Sequence, residues 1–331
     1  MSRLGKIFGA ALVGVAIIFG AMSMNSQAQA DEVKVGIFSV NYNSPTIFRM
    51  IQQAKADAEA LGWTVETHDG QGDQVATNNA ANDFIRRGFD ALINVASDNF
   101  QMTGVVKNAN EAGTIFVSTF SGYVPGITAD IGTNSIVDGA VATLELLNRT
   151  GRQGHIVFFN WNVLPALRDR TSGFKAALSD IENVKVTEIE VKVPGQVEDV
   201  YDQMTNLLAA HDDITGVVVG WDELASGAVR AIEQAGRGGD ISVAGMDGIG
   251  PVFEMLRQGN RPYKLSVSYP VEKMGRKSVE VVKAALAGNM PDTPVLYIGA
   301  CLVTASTVMP VDQESGISTY WDDCTPFSGN M

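Results

Sequence analysis

Histidine and cysteine are scarce in this chain, at three and two of 331 residues. His68, His155 and His211 lie far apart, with no His-x-x-x-His pair and no flanking glutamate. Cys301 and Cys324 lack zinc spacing. No metal and no cofactor is therefore expected. The Gly-x-Ser-x-Gly elbow and the phosphate-loop motif are missing as well. Gly245-Met246-Asp247-Gly248-Ile249-Gly250 carries its glycines in the wrong order for a dinucleotide fingerprint. Catalysis is not expected. A secreted hydrolase working with two carboxylates, such as Asp222 and Asp247, stays formally open, with no activated acid or nucleophile to support it. Bases are in deficit too: 24 Lys and Arg stand against 37 Asp and Glu, for a formal charge of -13. With no basic cluster to offset this, nucleic acid is excluded as a partner and anionic lipid is repelled.

Long apolar runs are confined to one place. Residues 7–19 are apolar but too short to span a bilayer. Arg3 and Lys6 precede them, and Ala28-Gln29-Ala30 follows as a small-residue cleavage site. This predicts a signal peptide over 1–30, cleaved after Ala30, and an exported chain beginning at Asp31. In an exported chain an even pair of cysteines reads as a disulfide, Cys301 with Cys324. The alternative is two separate buried thiols.

What remains is long enough for two domains. The pattern alternates strand and helix throughout. Strands are expected at 33–38, 64–67, 91–95 and 114–118, with helices at 47–61, 74–87 and 100–112 between them. A second run follows, with helices at 135–148, 165–178 and 197–210 and strands at 155–159, 184–191, 217–219 and 241–244. Elements at 251–258, 264–267, 271–287 and 295–298 complete the series. Such alternation implies an α/β fold of two similar, doubly wound, parallel-sheet lobes. No low-complexity linker separates the runs, so close crossings of the chain between lobes are expected.

In such sheets ligands bind at the carboxyl ends of strands, so the strand-exit loops are the places to search. They hold Asn41 to Thr46, Ser97-Asp98-Asn99, Phe120-Ser121, Trp161, Trp221-Asp222 and Asp247. Large aromatics, a few carboxylates and several amides form a recognition set. Aromatic faces cover the CH side of a polyhydroxylated molecule while Asp and Asn hold its hydroxyls. Trp221 and Asp222 have a bland reading too, in which Asp222 caps the following helix and Trp221 packs under a loop. Arg168, in the first turn of a helix, opposes the helix dipole. A ligand oxygen is one group that would hold it there, and an exposed charged face is the other reading.

Several segments, taken in order behind the leader, resemble the type I periplasmic solute-binding proteins of ABC importers, within the ribose-binding-protein-like group. They are 33–45, Arg168-Asp169-Arg170-Thr171-Ser172-Gly173-Phe174, 207–211, Trp221-Asp222-Glu223-Leu224-Ala225-Ser226-Gly227-Ala228, and 243–248. The resemblance implies two lobes joined by a three-crossing hinge, an N-terminal lobe of 31–133 plus 269–300, and a C-terminal lobe of 134–268 plus 301–331. It implies a periplasmic receptor that closes over a small sugar or sugar alcohol. By position the ligand residues would be Ser44, Thr46, Ile47, Phe120, Ser121, Arg168, Trp221, Asp247 and Ser268, with Trp161 and Asp222 added from the strand exits. Implied partners are a carbohydrate or polyol ligand and an importer permease, with a chemoreceptor compatible and a monomer expected. Ribose binders carry paired Phe near Thr46 and Ile47, Asp-Arg at Phe120-Ser121 and Asn at Trp221, so a ligand of different shape is expected. A nucleoside, an inositol-like molecule or another polyol feeding a sensor is the alternative. A sugar-responsive repressor core would need a DNA-binding head where the leader stands.

Overall fold

A computed structural model describes residues 32–308. Residues 1–31, which include the expected leader, and 309–331, which include Cys324, lie outside the described residues.

The first sheet is built from β1 (Lys34–Ser39), β2 (Thr64–Asp69), β3 (Ala91–Val95), β4 (Ile115–Thr119) and β5 (Ala129–Gly132). The intervening helices are α1 (Pro45–Ala60), α2 (Gln74–Arg86) and α3 (Thr103–Ala112). The second comprises β6 (Gly154–Asn160), β7 (Val184–Glu190), β8 (Ile214–Val219), β9 (Ser242–Asp247) and β10 (Tyr263–Ser268). Its helices are α4 (Ser135–Arg149), α5 (Pro165–Leu178), α6 (Gln196–Ala210), α7 (Ala225–Gln234) and α8 (Gly250–Gln258). Helix α9 (Val271–Leu286) and strands β11 (Val295–Tyr297) and β12 (Cys301–Thr304) follow.

Each sheet has six strands, ordered β11-β5-β4-β3-β1-β2 and β12-β10-β9-β8-β6-β7. All pairings are parallel except β10 with β12, which is antiparallel. Among the described residues the chain passes between the sheets three times: from β5 to α4, from β10 to α9, and from β11 to β12. Helix α9 returns to pack on α1, β4 and β5. Central strands such as β3 and β8 are mostly apolar and almost wholly buried, because helices cover both faces. Edge strand β7 exposes the charged Lys185, Glu188 and Glu190 and half-buries Val184, Thr187 and Ile189, as suits an open edge.

The structure departs from the expected elements in three places. β5 and β12, four residues each, are additional to the expected elements; each is a strand through its pairing with a neighbouring strand. The expected helix 100–112 divides into a 3-10 turn, Asn99–Gln101, and α3, with Asp98 accepting from the Phe100 amide. No described helix is long and apolar enough to cross a membrane.

Candidate functional site

The carboxyl ends of the two sheets face a common cleft of about 520 Å³, counting space open to solvent. From the first sheet come Asn41, Ser44, Thr46 and Ile47 between β1 and α1, Ala96 after β3 and Phe120 after β4. From the second come Trp161 after β6, Leu164, Ala166, Leu167 and Arg170 on α5, Trp221 after β8, and Asp247 ending β9. Three of these, Ala96, Phe120 and Asp247, hold positive φ values of 50°, 54° and 123°. Strained strand exits of that kind persist where surrounding structure over-determines them, as ligand clamps do.

Two helix starts are shaped for the cleft. Ser44 occupies the N-cap of α1, yet makes no cap bond. Its hydroxyl donates to Glu223 at 3.1 Å, across to the second lobe. Leu164 stands at the N-cap of α5 with Pro165 behind it, again without a side-chain cap. Uncapped first-turn amides are left for other acceptors.

The polar centre is a chain across both lobes. Thr46 donates to Asp247 at 2.7 Å, and Arg170 reaches the other oxygen of Asp247 at 3.0 Å. Arg170 also donates to the Gly220 carbonyl at 2.6 Å and lies over the rings of Phe120 and Tyr269. Burial works against the Arg170 charge, but Tyr269 and Asp247 outweigh it and raise its pKa. Burial likewise pushes the Asp247 carboxyl up, opposed by Arg170 and Thr46. The buried Nε of Arg170, Tyr269 hydroxyl and Ser268 hydroxyl have no protein partner. Of these three, Arg170 lines the cleft, and an orphan there is a group that a ligand or a water completes.

Asp222 neither caps the helix nor lines the cleft. It is fully buried and accepts from the Gly248 amide and the Ser266 hydroxyl, both at 2.7 Å, and from Tyr263. It therefore holds the turn that follows Asp247. Burial, aided by the Asp247 charge, pushes its pKa up to about 7. Trp221, by contrast, is on the wall, and its indole N–H donates to Glu223 at 3.2 Å. Gln196 holds the other oxygen of Glu223 at 3.0 Å.

Ser44, Thr46, Ile47, Phe120, Trp161, Trp221 and Asp247 are thus brought together. Arg168, Ser121 and Ser268 are not on this wall. Arg168 is 39% exposed and binds the carbonyls of Asn162 and Val163, at 3.3 and 2.7 Å, and Asp98 at 3.2 Å. Arg170, 3% exposed, takes the place expected for it. The signal was present: Leu167, Arg170, Thr171 and Phe174 recur at helical spacing and are all buried, and Arg168 is off that face. Ser121 is fully buried, its hydroxyl donating to the Thr119 carbonyl at 2.9 Å. Ser268 lies beside Asp247 in the β9–β10 register, without reaching the cleft. Cys301 is buried on β12, and Cys324 lies outside the described residues. Among the described residues no histidine or cysteine lines the cleft.

A model of the periplasmic binding protein domain matches residues 35–290. The chain belongs to the periplasmic binding protein family. It is of type I, with the two parallel-sheet lobes of the ribose-binding-protein-like group. A ribose import binding protein of Salmonella typhimurium is 25% identical over 285 residues, covering 85% of this chain and 93% of its own. A sugar ABC transporter structure from Yersinia enterocolitica superposes with a TM-score of 0.81, at 18% identity and 92% coverage of each chain. An Agrobacterium vitis solute-binding protein with bound allitol gives 0.78, at 20% identity, covering 83% of this chain and 96% of that one. In this member of the family the cleft lies at the carboxyl ends of β1 and β3 and of β6 and β8, where the strand order of each sheet reverses and α/β sheets bind ligands.

Proposed function

We propose that this periplasmic binding protein is an exported receptor that closes over a small sugar or sugar alcohol and delivers it to an ABC importer permease. One observation carries the reading. Trp161, Trp221 and Phe120 surround a polar chain, Arg170–Asp247–Thr46, contributed by both lobes. Aromatic faces take the apolar side of a ring or chain, and the arginine–carboxylate pair takes its hydroxyls. Neither group is arranged to break a bond, and binding is the chemistry it supports. The relatives' names speak of ribose and allitol, the same class of neutral, hydroxylated solute. This cleft is rich in Leu164, Ala166, Leu167 and Ile47, so its ligand carries an apolar flank as well.

The reading extends to parts outside the cleft. The leader is removed after Ala30, and Cys301 pairs with Cys324 to tie the tail to β12. The N-terminal lobe is 31–133 with 269–300, and the C-terminal lobe is 134–268 with 301–331. The receptor is a monomer, and a chemoreceptor is a compatible second partner.

A thermal-shift screen over pentoses, hexoses, alditols, inositols and nucleosides tests this, since a bound ligand raises apparent stability by mass action. The expected hit is a sugar or alditol. Asp247→Ala should weaken its affinity by about 2–4 kcal/mol in calorimetry. A hit confined to nucleosides, or a sugar affinity untouched by Asp247→Ala, overturns the assignment.

A further inference from the structure

His155, His211 and Asp213 are separated in sequence, yet among the described residues they form the one group of ligating side chains placed to hold a metal ion. Their ligand atoms all lie within 4.8 Å of one another. We propose that they form a binding site for a divalent transition metal, at the amino-terminal end of β6 and β8. The site is at the opposite end of β6 from Trp161, about 20 Å along a strand of ordinary rise. It is independent of the solute cleft.

The geometry supports the assignment. His155 Nδ1 is 3.2 Å from Asp213 Oδ1, and His211 Nδ1 is 4.0 Å from the same oxygen. Metal–ligand bonds of about 2.0–2.2 Å in a tetrahedron separate ligand atoms by roughly 3.3–3.5 Å. The two observed spacings bracket that value. Two imidazole nitrogens and one carboxylate oxygen are a set that suits zinc and its neighbours. With three protein ligands the fourth position is left for water.

The supports around the site are those a metal site uses. The far nitrogen of His155, Nε2, is held by Thr187 at 2.8 Å, which fixes the ring and aims Nδ1 at Asp213. The loop carrying His211 and Asp213 is pinned from behind. Arg237 donates to the carbonyls of His211, Asp212 and Ile214, at 3.4, 3.1 and 2.9 Å. The His155 amide donates to the Asp213 carbonyl at 3.1 Å, which ties the loop to β6. The ring of His155 is fully buried, while His211 and Asp213 are 35% and 54% exposed, so an ion enters from solvent on their side. Lys185, 3.5 Å from the second Asp213 oxygen, is half exposed and free to turn outward as the ion takes up the carboxylate charge.

The test uses the mature protein, free of any histidine tag and stripped with chelator, titrated with Zn(II) in a calorimeter and with Co(II) in a spectrophotometer. One equivalent should bind with micromolar affinity, and Co(II) should develop the visible absorption of a tetrahedral site. His211→Ala, at a partly exposed position, and Asp213→Asn, at an exposed one, should each weaken binding at least tenfold while the circular dichroism spectrum stays unchanged. Millimolar or absent binding overturns the proposal. So does stoichiometric binding that survives both variants, since the metal then lies elsewhere.

Discussion

Arg168 and Arg170 stand two residues apart on one helix, and burial alone separates their roles. The guanidinium of Arg170 serves Gly220 and Asp247 at once, a two-pronged task that a lysine ammonium cannot reproduce. Arg170→Lys should therefore weaken ligand binding about ten- to hundredfold, close to 1.4–2.8 kcal/mol. Arg168→Ala should leave it within about threefold, and a reversed order in calorimetry would return the role to Arg168. Asp222 makes a separate prediction about pH. Its folded pKa is pushed up to about 7 from an ordinary value of 3.8. Below about pH 4 both folded and unfolded states hold the proton. From there to about pH 7 the unfolded chain ionises first and binds fewer protons, so stability falls as pH rises. Asp222→Asn removes that titration, and its amide oxygen can still accept from Gly248 and Ser266. The melting temperature of the variant should decline less than that of the parent between pH 4 and 7. Parallel curves would show that Asp222 does not titrate in this range.

Helix α5 is held to α4 through their backbones. A Cβ on Gly173 would stand 2.0 Å from the Ile136 carbonyl oxygen, and one on Gly139 would stand 2.3 Å from that of Arg170. Glycine is unfavourable within a helix, so its presence here reflects close packing. Gly173→Ala should force the helices apart and cost about 1–3 kcal/mol in urea unfolding. It should also reduce ligand affinity, because Arg170 and Leu167 ride on the same helix. Gly104, on α3, has nothing within 4 Å of its built Cβ. Gly104→Ala should be neutral or stabilising by up to about 1 kcal/mol. Equal losses at both positions would remove the packing explanation.

Across the molecule, the two lobes are joined by side chains as well as by three chain crossings. Ser44 reaches Glu223, Thr46 reaches Asp247, Arg168 reaches Asp98, and Arg49 donates to the Gly248 carbonyl at 3.2 Å. All four contacts must break if the lobes part. Hinge closure of this kind buries a ligand and adds its contacts to those already linking the lobes. Small-angle scattering should give a smaller radius of gyration with saturating ligand than without it. Thr46→Val, which loses the bond to Asp247, should weaken binding. Identical radii with and without ligand would remove hinge closure from the account.

Composition and periodicity alone determined much of this. Strand–helix alternation decided the α/β class, because covered parallel strands need apolar runs and helices need a 3.6-residue stripe. Strand-exit positions put Ser44, Thr46, Phe120, Trp161, Trp221 and Asp247 on candidate loops, because parallel sheets expose such loops at one end, and the fold gathers those six on one cleft. Tertiary structure decided what depends on which face a side chain takes. It put Arg170 in the cleft and Arg168 outside it, and buried Asp222 beneath the Gly248 turn. It made strands of β5 and β12 by pairing them with neighbours. It also brought His155 beside His211 and Asp213 through the β6–β8 pairing, a proximity between distant residues that no local pattern encodes.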